Sequence, residues 1–318
     1  MNTLAVKLVK KTREAEDIFS FEFARMDGGP LPAFSAGSHI DVHASPGLVR
    51  QYSLCNEPGE SHRYLIAVLR DLHSRGGSIA MHETLHEGDI VTISEPRNHF
   101  PLSEAPNYLM FAGGIGITPI LCMAEKLAQS GASFKLHYCS RSPERTAFRH
   151  RIDTATFAGQ VDFHFDSGGP EQKLYLDAVL ERQMPDTHIY VCGPAGFIEY
   201  VTGTARAKGW PDERIHLEYF GAAPQKTGGN AEFEVRIASS GKSCMVPSDK
   251  SVVQALAEQG IDIPISCEQG ICGTCITRVL DGTPDHRDYY LTDEEHAKND
   301  QFTPCCSRSK TRTLILDL

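Results

Sequence analysis

Three cysteines crowd one short loop, Cys267-Glu-Gln-Gly-Ile-Cys272-Gly-Thr-Cys275, and a fourth, Cys305, follows 30 positions later. The spacing C-x4-C-x2-C with a distant fourth cysteine is that of plant-type [2Fe–2S] sites. A flat two-iron cluster needs four thiolates, and one loop can present three only if its backbone curls around the cluster. Gly270 and Gly273 permit that curl, which also turns backbone N–H groups toward the sulfurs. The competing chemistry is a structural zinc site, but zinc usually takes two C-x2-4-C knuckles rather than three cysteines in one loop. Cys305 and Cys306 are adjacent, and the downstream spacing favours Cys305 as fourth ligand, leaving Cys306 as a small buried hydrophobe. Cys55, Cys122, Cys139 and Cys244 read as packing residues.

A second chemistry lies mid-chain. The apolar run Tyr108-Leu-Met-Phe-Ala112 enters Gly113-Gly114-Ile-Gly116-Ile-Thr118-Pro119 and then a helical stretch. Strand, glycine turn and helix are the context in which a pyrophosphate sits over a helix N-terminus. Thr118 is expected as the N-cap and Pro119 as the first helical residue. The pattern departs from G-x-G-x-x-G, and by itself describes any tight turn. Support comes from His188-Ile-Tyr-Val-Cys192 running into Gly193-Pro194, a second turn at the carboxyl edge where open α/β sheets bind ligands. Cys192 is expected at that edge as a catalytic, cofactor-facing thiol, the plainer reading being a buried strand end. Ser140-Arg141 stands where an acid would grip the ribose of NAD. That pair could hold a 2′-phosphate or simply flank the adenosine, leaving NADH and NADPH both open.

A nicotinamide yields two electrons together as hydride, whereas a two-iron cluster accepts one at a time. A flavin can divide the pair, so the first hundred residues should bind one. Arg50-Gln-Tyr52-Ser53-Leu54 offers a guanidinium for phosphate, a ring to cover the flavin and a hydroxyl for a polar ring atom. Arg75-Gly76-Gly77-Ser78 opens a lone helix over about 78–85, a further anion-binding start.

These groups need three kinds of scaffold. Short alternating or β-branched runs over 19–23, 39–44, 63–69 and 89–94, separated by Gly/Pro clusters, predict a small antiparallel barrel. From Asn107 onward apolar strands alternate with helical stretches, as in βαβ units around a parallel sheet. Residues 222–230 read as a linker. Beyond it come a strand, a helix, the cysteine loop and a final strand.

The whole chain, 318 residues, is of ordinary globular composition: 41% hydrophobic and 23% charged. Acidic residues outnumber basic ones by 41 to 31, giving a net charge of -10 and disfavouring nucleic-acid binding. No apolar run reaches the length a membrane helix needs. The first residues alternate and then turn charged, without a signal-peptide core, so a cytoplasmic, reducing location is expected.

Taken together, RQYSL (50–54), RGGS (75–78), GGIGITP (113–119), YVCGP (190–194), HLEYF (216–220) and CEQGICGTC (267–275) with PCCSR (304–308) resemble the ferredoxin–NADP reductase superfamily. Within it the resemblance is to the phthalate dioxygenase reductase and vanillate demethylase reductase family, over essentially the whole chain. It implies an FMN-binding barrel over 1–104, an NAD(P)-binding α/β domain over 105–223, a linker at 224–230 and a β-grasp-like ferredoxin domain over 231–318. It further implies FMN, NADH, a [2Fe–2S] cluster held by Cys267, Cys272, Cys275 and Cys305, and a soluble Rieske oxygenase partner. The FMN phosphate would fall to Arg50, Gly77 and Ser78, and the ring and ribityl chain to Tyr52, Ser53, Leu54 and the backbone of Ala67, Val68 and Leu69. Gly114, Gly116, Thr118, Pro119, Ser140, Arg141, Cys192, Gly193 and Pro194 would line the nucleotide. Phe220 would stack on the flavin, making Ser53, Cys192 and Phe220 the residues nearest the chemistry. A monomer is expected. Two other readings stand beside this one: a reductase for another acceptor such as a cytochrome P450, and a non-enzymatic iron–sulfur sensor. The acidic residues between Asp281 and Asp300 are expected to steer the partner.

Overall fold

Alternation of apolar and polar side chains turns one face of several strands of the first sheet inward, while Tyr64–Leu69 is apolar and buried along nearly its whole length. The computed structural model describes residues 3–45, 48–71, 76–181, 186–220, 230–265 and 267–318. The chain forms two compact units, residues 1–220 and 221–318. Among the described residues no helix is long and apolar enough to cross a membrane.

The first unit begins with β1 (Thr3–Ala15), β2 (Ile18–Arg25), β3 (Ser38–Ser45), β4 (Leu48–Ser53), β5 (Tyr64–Leu69), the short helix α1 (Gly77–Glu83), β6 (Ile90–Ser94) and β7 (Arg97–Asn98). The sheet order is β4-β3-β6-β1-β2-β5, with β7 on β3 and all pairings antiparallel. A Leu54–Ile66 bridge and the Cys55 N–H donated to Leu65 O (2.8 Å) join β4 to β5. These contacts bring the two end strands together at one end of the barrel, and no further ladder joins them among the described residues. Val6, Leu8, Phe21, Phe23, Ile40, Val42, Leu54, Ile66 and Ile93 fill the interior. Three of these strands, β1, β4 and the two-residue β7, lie outside the runs expected from sequence, although the chain alternates at its start. The first is broken by register shifts at Leu8/Lys10 and Arg13/Ala15, which interrupt its alternation.

The same unit continues with β8 (Asn107–Gly113), α2 (Ile117–Ser130), β9 (Ser133–Ser140), α3 (Arg149–Asp153), β10 (Val161–Phe165), α4 (Leu176–Glu181), β11 (Thr187–Gly193), α5 (Ala195–Ala207) and β12 (Ile215–Tyr219). All pairings are parallel in the order β10-β9-β8-β11-β12. After β8 the chain builds outward through β9 and β10, then returns to β11 on the other side. The crevice between β8 and β11 is therefore the switch point at which such sheets take ligands.

One local expectation fails here. Helix α2 starts at Ile117 with Gly116 as N-cap and no side-chain cap. Thr118 lies inside the first turn, its hydroxyl donated back to Ile115 O (3.1 Å), and Pro119 follows at the third helical position. The three-residue 3-10 turn Gly114–Gly116 has already begun the winding, so the cap moves two residues upstream.

The second unit comprises β13 (Phe233–Ile237), β14 (Ser243–Val246), α6 (Val252–Ala257), β15 (Thr277–Asp281), β16 (Pro284–Asp285), α7 (Asp293–Lys298), β17 (Gln301–Phe302), β18 (Arg308–Ser309) and β19 (Thr313–Leu316). Its main sheet runs β14-β13-β19-β15-β17, with β13 and β19 parallel and the other pairs antiparallel. Both helices start on reciprocal caps, Ser251 with Gln254 and Thr292 with Glu295. This is the expected α+β arrangement. Of the expected linker 224–230, all but Asn230 lies outside the described residues, as does Arg75.

Candidate functional site

In the barrel, the Arg50 side chain lies across the start of α1. A Cβ on Gly77 would sit 2.5 Å from Arg50 Cγ and 2.7 Å from its Nε. Only glycine leaves room there for a guanidinium beside the first helical amides. Ser78 Oγ accepts from Asp71 N (3.1 Å) and lies 3.3 Å from Asp71 O, fixing the hydroxyl at the same helix start. Arg50 and Gly77, 27 positions apart in sequence, thus form one cradle of the kind that takes a phosphate.

Tyr52 and Ser53 follow Arg50 on β4. Burial pushes the Tyr52 phenol well above its ordinary pKa. Ser53 is buried and donates its hydroxyl to Glu218 Oε2 at 3.4 Å. Leu54 is fully buried in the barrel interior, so of this residue only backbone can face a ligand. On β5, Ala67 and Val68 are buried and Leu69 half-buried, and Val68 O accepts from His82 Nε2 (2.9 Å).

Glu218 is the residue that sequence reasoning misses. It lies on β12 opposite Cys192 in the parallel register, two residues before the partly exposed Phe220. Burial pushes its carboxyl up to about 8, opposed by the Ser53 hydroxyl. Cys192 is fully buried, and burial with Glu218 nearby raises its thiol far above the ordinary value. Ser53, Cys192 and Glu218 therefore share one neighbourhood spanning barrel and parallel sheet. The acid stands in plain sight within HLEYF, but the Cys192–Glu218 pairing is long-range and carries no local mark.

At the switch point the two glycine turns meet backbone to backbone. A Cβ on Gly116 would lie 2.2 Å from Cys192 O, and one on Gly193 would meet Gly113 Cα at 3.0 Å. The turn at Gly114, in left-handed geometry (φ +55°), delivers the α2 N-terminus to the crevice. Pro194, extended, is the N-cap of α5, so a second helix starts there too. Ser140 is turned inward, held between Ser142 O (3.1 Å) and Thr146 Oγ1 (2.7 Å), while Arg141 is exposed just beyond β9.

In the second unit the cysteine loop runs between α6 and β15. Glu268, Gly270 and Gly273 take left-handed geometry (φ 54°, 71° and 67°), winding the loop about its own sulfurs. Gln269 N and Ile271 N donate to Cys267 Sγ at 3.3 and 3.4 Å. Thiol contacts from Cys272 and Cys305 hold Cys267 low, and Cys305 in turn contacts Cys275. Cys272, Cys275 and Cys305 are buried. Cys306 also touches Cys305, but its thiol sits 3.2 Å from Thr303 Oγ1, and a Cβ on Gly270 would meet it at 2.4 Å. It packs behind the loop. Four convergent sulfurs, with amides aimed at one of them, suit an anionic iron–sulfur cluster. Cys55, Cys122 and Cys244 are buried and Cys139 half-buried, and no disulfide joins the cysteines among the described residues.

Known proteins resemble this chain throughout. The oxidoreductase NAD-binding domain family matches residues 110–203, and the 2Fe-2S iron-sulfur cluster binding domain family matches 235–310, which includes all four converging cysteines. Vanillate O-demethylase oxidoreductase of Pseudomonas sp. (strain HR199 / DSM 7063) is 57% identical over 305 residues, 96% of each chain. The solved phthalate dioxygenase reductase, described as a modular structure for electron transfer from pyridine nucleotides to [2Fe-2S], has 40% identity and a TM-score of 0.80. It covers 100% of this chain and 98% of its own. An intact type IV self-sufficient cytochrome P450 monooxygenase matches 99% of this chain with 41% of its own length, at 35% identity and TM-score 0.83. The chain belongs to the phthalate dioxygenase reductase and vanillate demethylase reductase family of NAD-dependent iron–sulfur oxidoreductases.

Proposed function

We propose that this protein is the reductase component of a two-component Rieske non-haem iron oxygenase, carrying electrons from NADH through FMN and a [2Fe–2S] cluster to the oxygenase. The observation that carries the reading is the presence, in one chain, of a hydride-type nucleotide fold, a one-electron cluster unit and a barrel with a phosphate cradle. When bound, the flavin takes two electrons as hydride and releases them singly, and the cluster relays each one.

In this reading the protein falls into a barrel over 1–104, a nucleotide domain over 105–223 and a ferredoxin domain from 231. Arg50, with the amides of Gly77 and Ser78, holds the FMN phosphate. Tyr52, Ser53, the Leu54 backbone and the strand Ala67 to Leu69 orient the ring and ribityl chain, and Phe220 covers the ring. Gly114, Gly116, Thr118 and Pro119 seat the pyrophosphate at the start of α2, with Gly193 and Pro194 closing the crevice. Ser140 spends its hydroxyl internally, which favours NADH over a 2′-phosphorylated coenzyme and leaves Arg141 to flank the adenosine. Cys192 borders the nicotinamide pocket. Glu218, with its pKa near 8, holds a proton at neutral pH, and its hydrogen bond to Ser53 Oγ makes a two-residue path for that proton. Cys267, Cys272, Cys275 and Cys305 ligate the cluster. The protein acts as a monomer in the cytoplasm, where reducing conditions suit a cysteine loop that holds a cluster.

The fused cytochrome P450 keeps a second acceptor class in play. Anaerobic NADH titration with visible spectra, flavin extraction and mixing with purified Rieske oxygenases or cytochrome P450s tests both. We expect FMN, flavin bleaching followed by cluster bleaching, and turnover with an oxygenase alone. Flavin reduction without cluster reduction, or turnover only with a P450, overturns the reading.

A further inference from the structure

Behind the cysteine loop lies a polar cluster with no part in the chemistry above. The Asp288 side chain is completely buried, and its ion-pair neighbours among the described residues are two imidazoles. His286 Nδ1 lies 3.8 Å and His296 Nε2 3.3 Å from Asp288 Oδ1. Its other oxygen is already used, accepting from Tyr290 N (3.2 Å) and Leu291 N (2.8 Å). The carboxylate is thus oriented, with Oδ1 left to the rings and to Ser307 Oγ at 3.4 Å.

Of the two rings, His296 bonds Asp288, whereas His286 is poorly satisfied as a purely structural group. The rings stack with centroids 4.3 Å apart and planes at 29°, an arrangement in which two imidazolium charges would repel. His286 has a side chain only 8% exposed, yet neither of its ring nitrogens closes a hydrogen bond, although the Asn299 side chain comes near. Such an orphaned buried imidazole is costly unless a cation uses its lone pair. The three ligand atoms lie within 4.8 Å of one another. Metal–ligand bonds of about 2.0–2.1 Å place tetrahedral ligand atoms about 3.3–3.4 Å apart. The Asp288–His296 edge already has that length at 3.3 Å, the Asp288–His286 edge at 3.8 Å is close to it, and the two ring nitrogens must approach by up to about 1.5 Å through ring rotation.

We propose that His286, Asp288 and His296 form a binding site for one divalent metal ion of the zinc class, separate from the cluster. Two imidazoles and a carboxylate are a zinc-type donor set, leaving a position for water on the His296 side, where the side chain is 24% exposed. The backbone amides on Asp288 Oδ2 supply the outer-shell support such ligands need. Tyr289 N bonds Gly270 O (2.9 Å), so the ion would sit on the residues that buttress the cluster loop.

The test uses the full-length protein with its iron in place, stripped of loose metal and titrated calorimetrically with zinc while iron content is followed. We expect one tight equivalent without iron loss, and a zinc-edge X-ray absorption spectrum with nitrogen and oxygen at about 2.0–2.1 Å and no sulfur at about 2.3 Å. His286→Gln and His296→Gln should each weaken zinc by at least about tenfold while preserving the cluster spectrum. No binding, sulfur in the zinc shell, or unchanged affinity in His296→Gln overturns the proposal. Should His286→Gln fail to fold, the partly exposed His296 variant and the wild-type edge spectrum decide.

Discussion

Glu218→Gln tests whether a carboxyl in the shared Ser53–Cys192 neighbourhood is held neutral. The folded-state pKa is raised from 4.5 to about 8, so the folded protein keeps a proton that the unfolded chain releases. The resulting stabilisation is fully present below pH 4.5 and is lost as pH rises through 8. Between pH 6 and pH 9 the folded state crosses about two pH units of this window, worth roughly 2–3 kcal/mol at 1.36 kcal/mol per unit. Glutamine keeps an oxygen for the Ser53 hydroxyl but cannot titrate. The assay is urea unfolding of flavin-free protein at several pH values. It is followed by the fluorescence of Trp210, the chain's single tryptophan, which is buried in the first unit. Wild type should lose roughly 2–3 kcal/mol more than Glu218→Gln from pH 6 to pH 9. Parallel curves would refute the argument, because the carboxyl would then be ionised in both states.

Cys305→Ser should lose cluster iron while Cys306→Ser keeps most of it, measured by iron content and visible spectra. The reverse would exchange the two roles. Arg50→Ala removes a charge-assisted phosphate contact of about 1.5–3 kcal/mol, so FMN should be held roughly 10- to 100-fold more weakly in equilibrium dialysis, with the cluster unaffected. Gly116→Ala forces a methyl group to 2.2 Å from Cys192 O, so the two turns must separate. We expect roughly 1–3 kcal/mol lost from the first unit in thermal or urea unfolding, with weaker NADH binding, and a neutral substitution would mean the turns do not touch.

Chemistry written in local spacing is legible in the residues alone. The loop from Cys267 to Cys275 carries its own ligand spacing and its own glycines, and the turn Gly113–Pro119 announces itself between strand and helix. Tertiary pairing is not legible in this way. Nothing near Arg50 in sequence points to Gly77, and Glu218 meets Ser53 across 165 positions. The Thr118 cap fails because a 3-10 turn, equally compatible with glycines, starts the helix early. Charge counting misleads in a similar way. Among the acids expected to steer a partner, the Asp288 side chain is wholly buried and the half-buried Asp285 is paired with Arg287 (2.7 Å), so neither offers a partner the full charge that the net count implies.

Strand β19 lies in the middle of its sheet, parallel to β13 and flanked on the other side by β15, yet it is the last strand of its unit to be made. During synthesis the second unit therefore has its cysteine loop, and even Cys305, before it has the strand that joins its two halves. Residues 233–237 must wait nearly eighty positions for their neighbour at 313–316. Iron–sulfur assembly onto a finished scaffold is consequently a late event, after this strand has been threaded between the others.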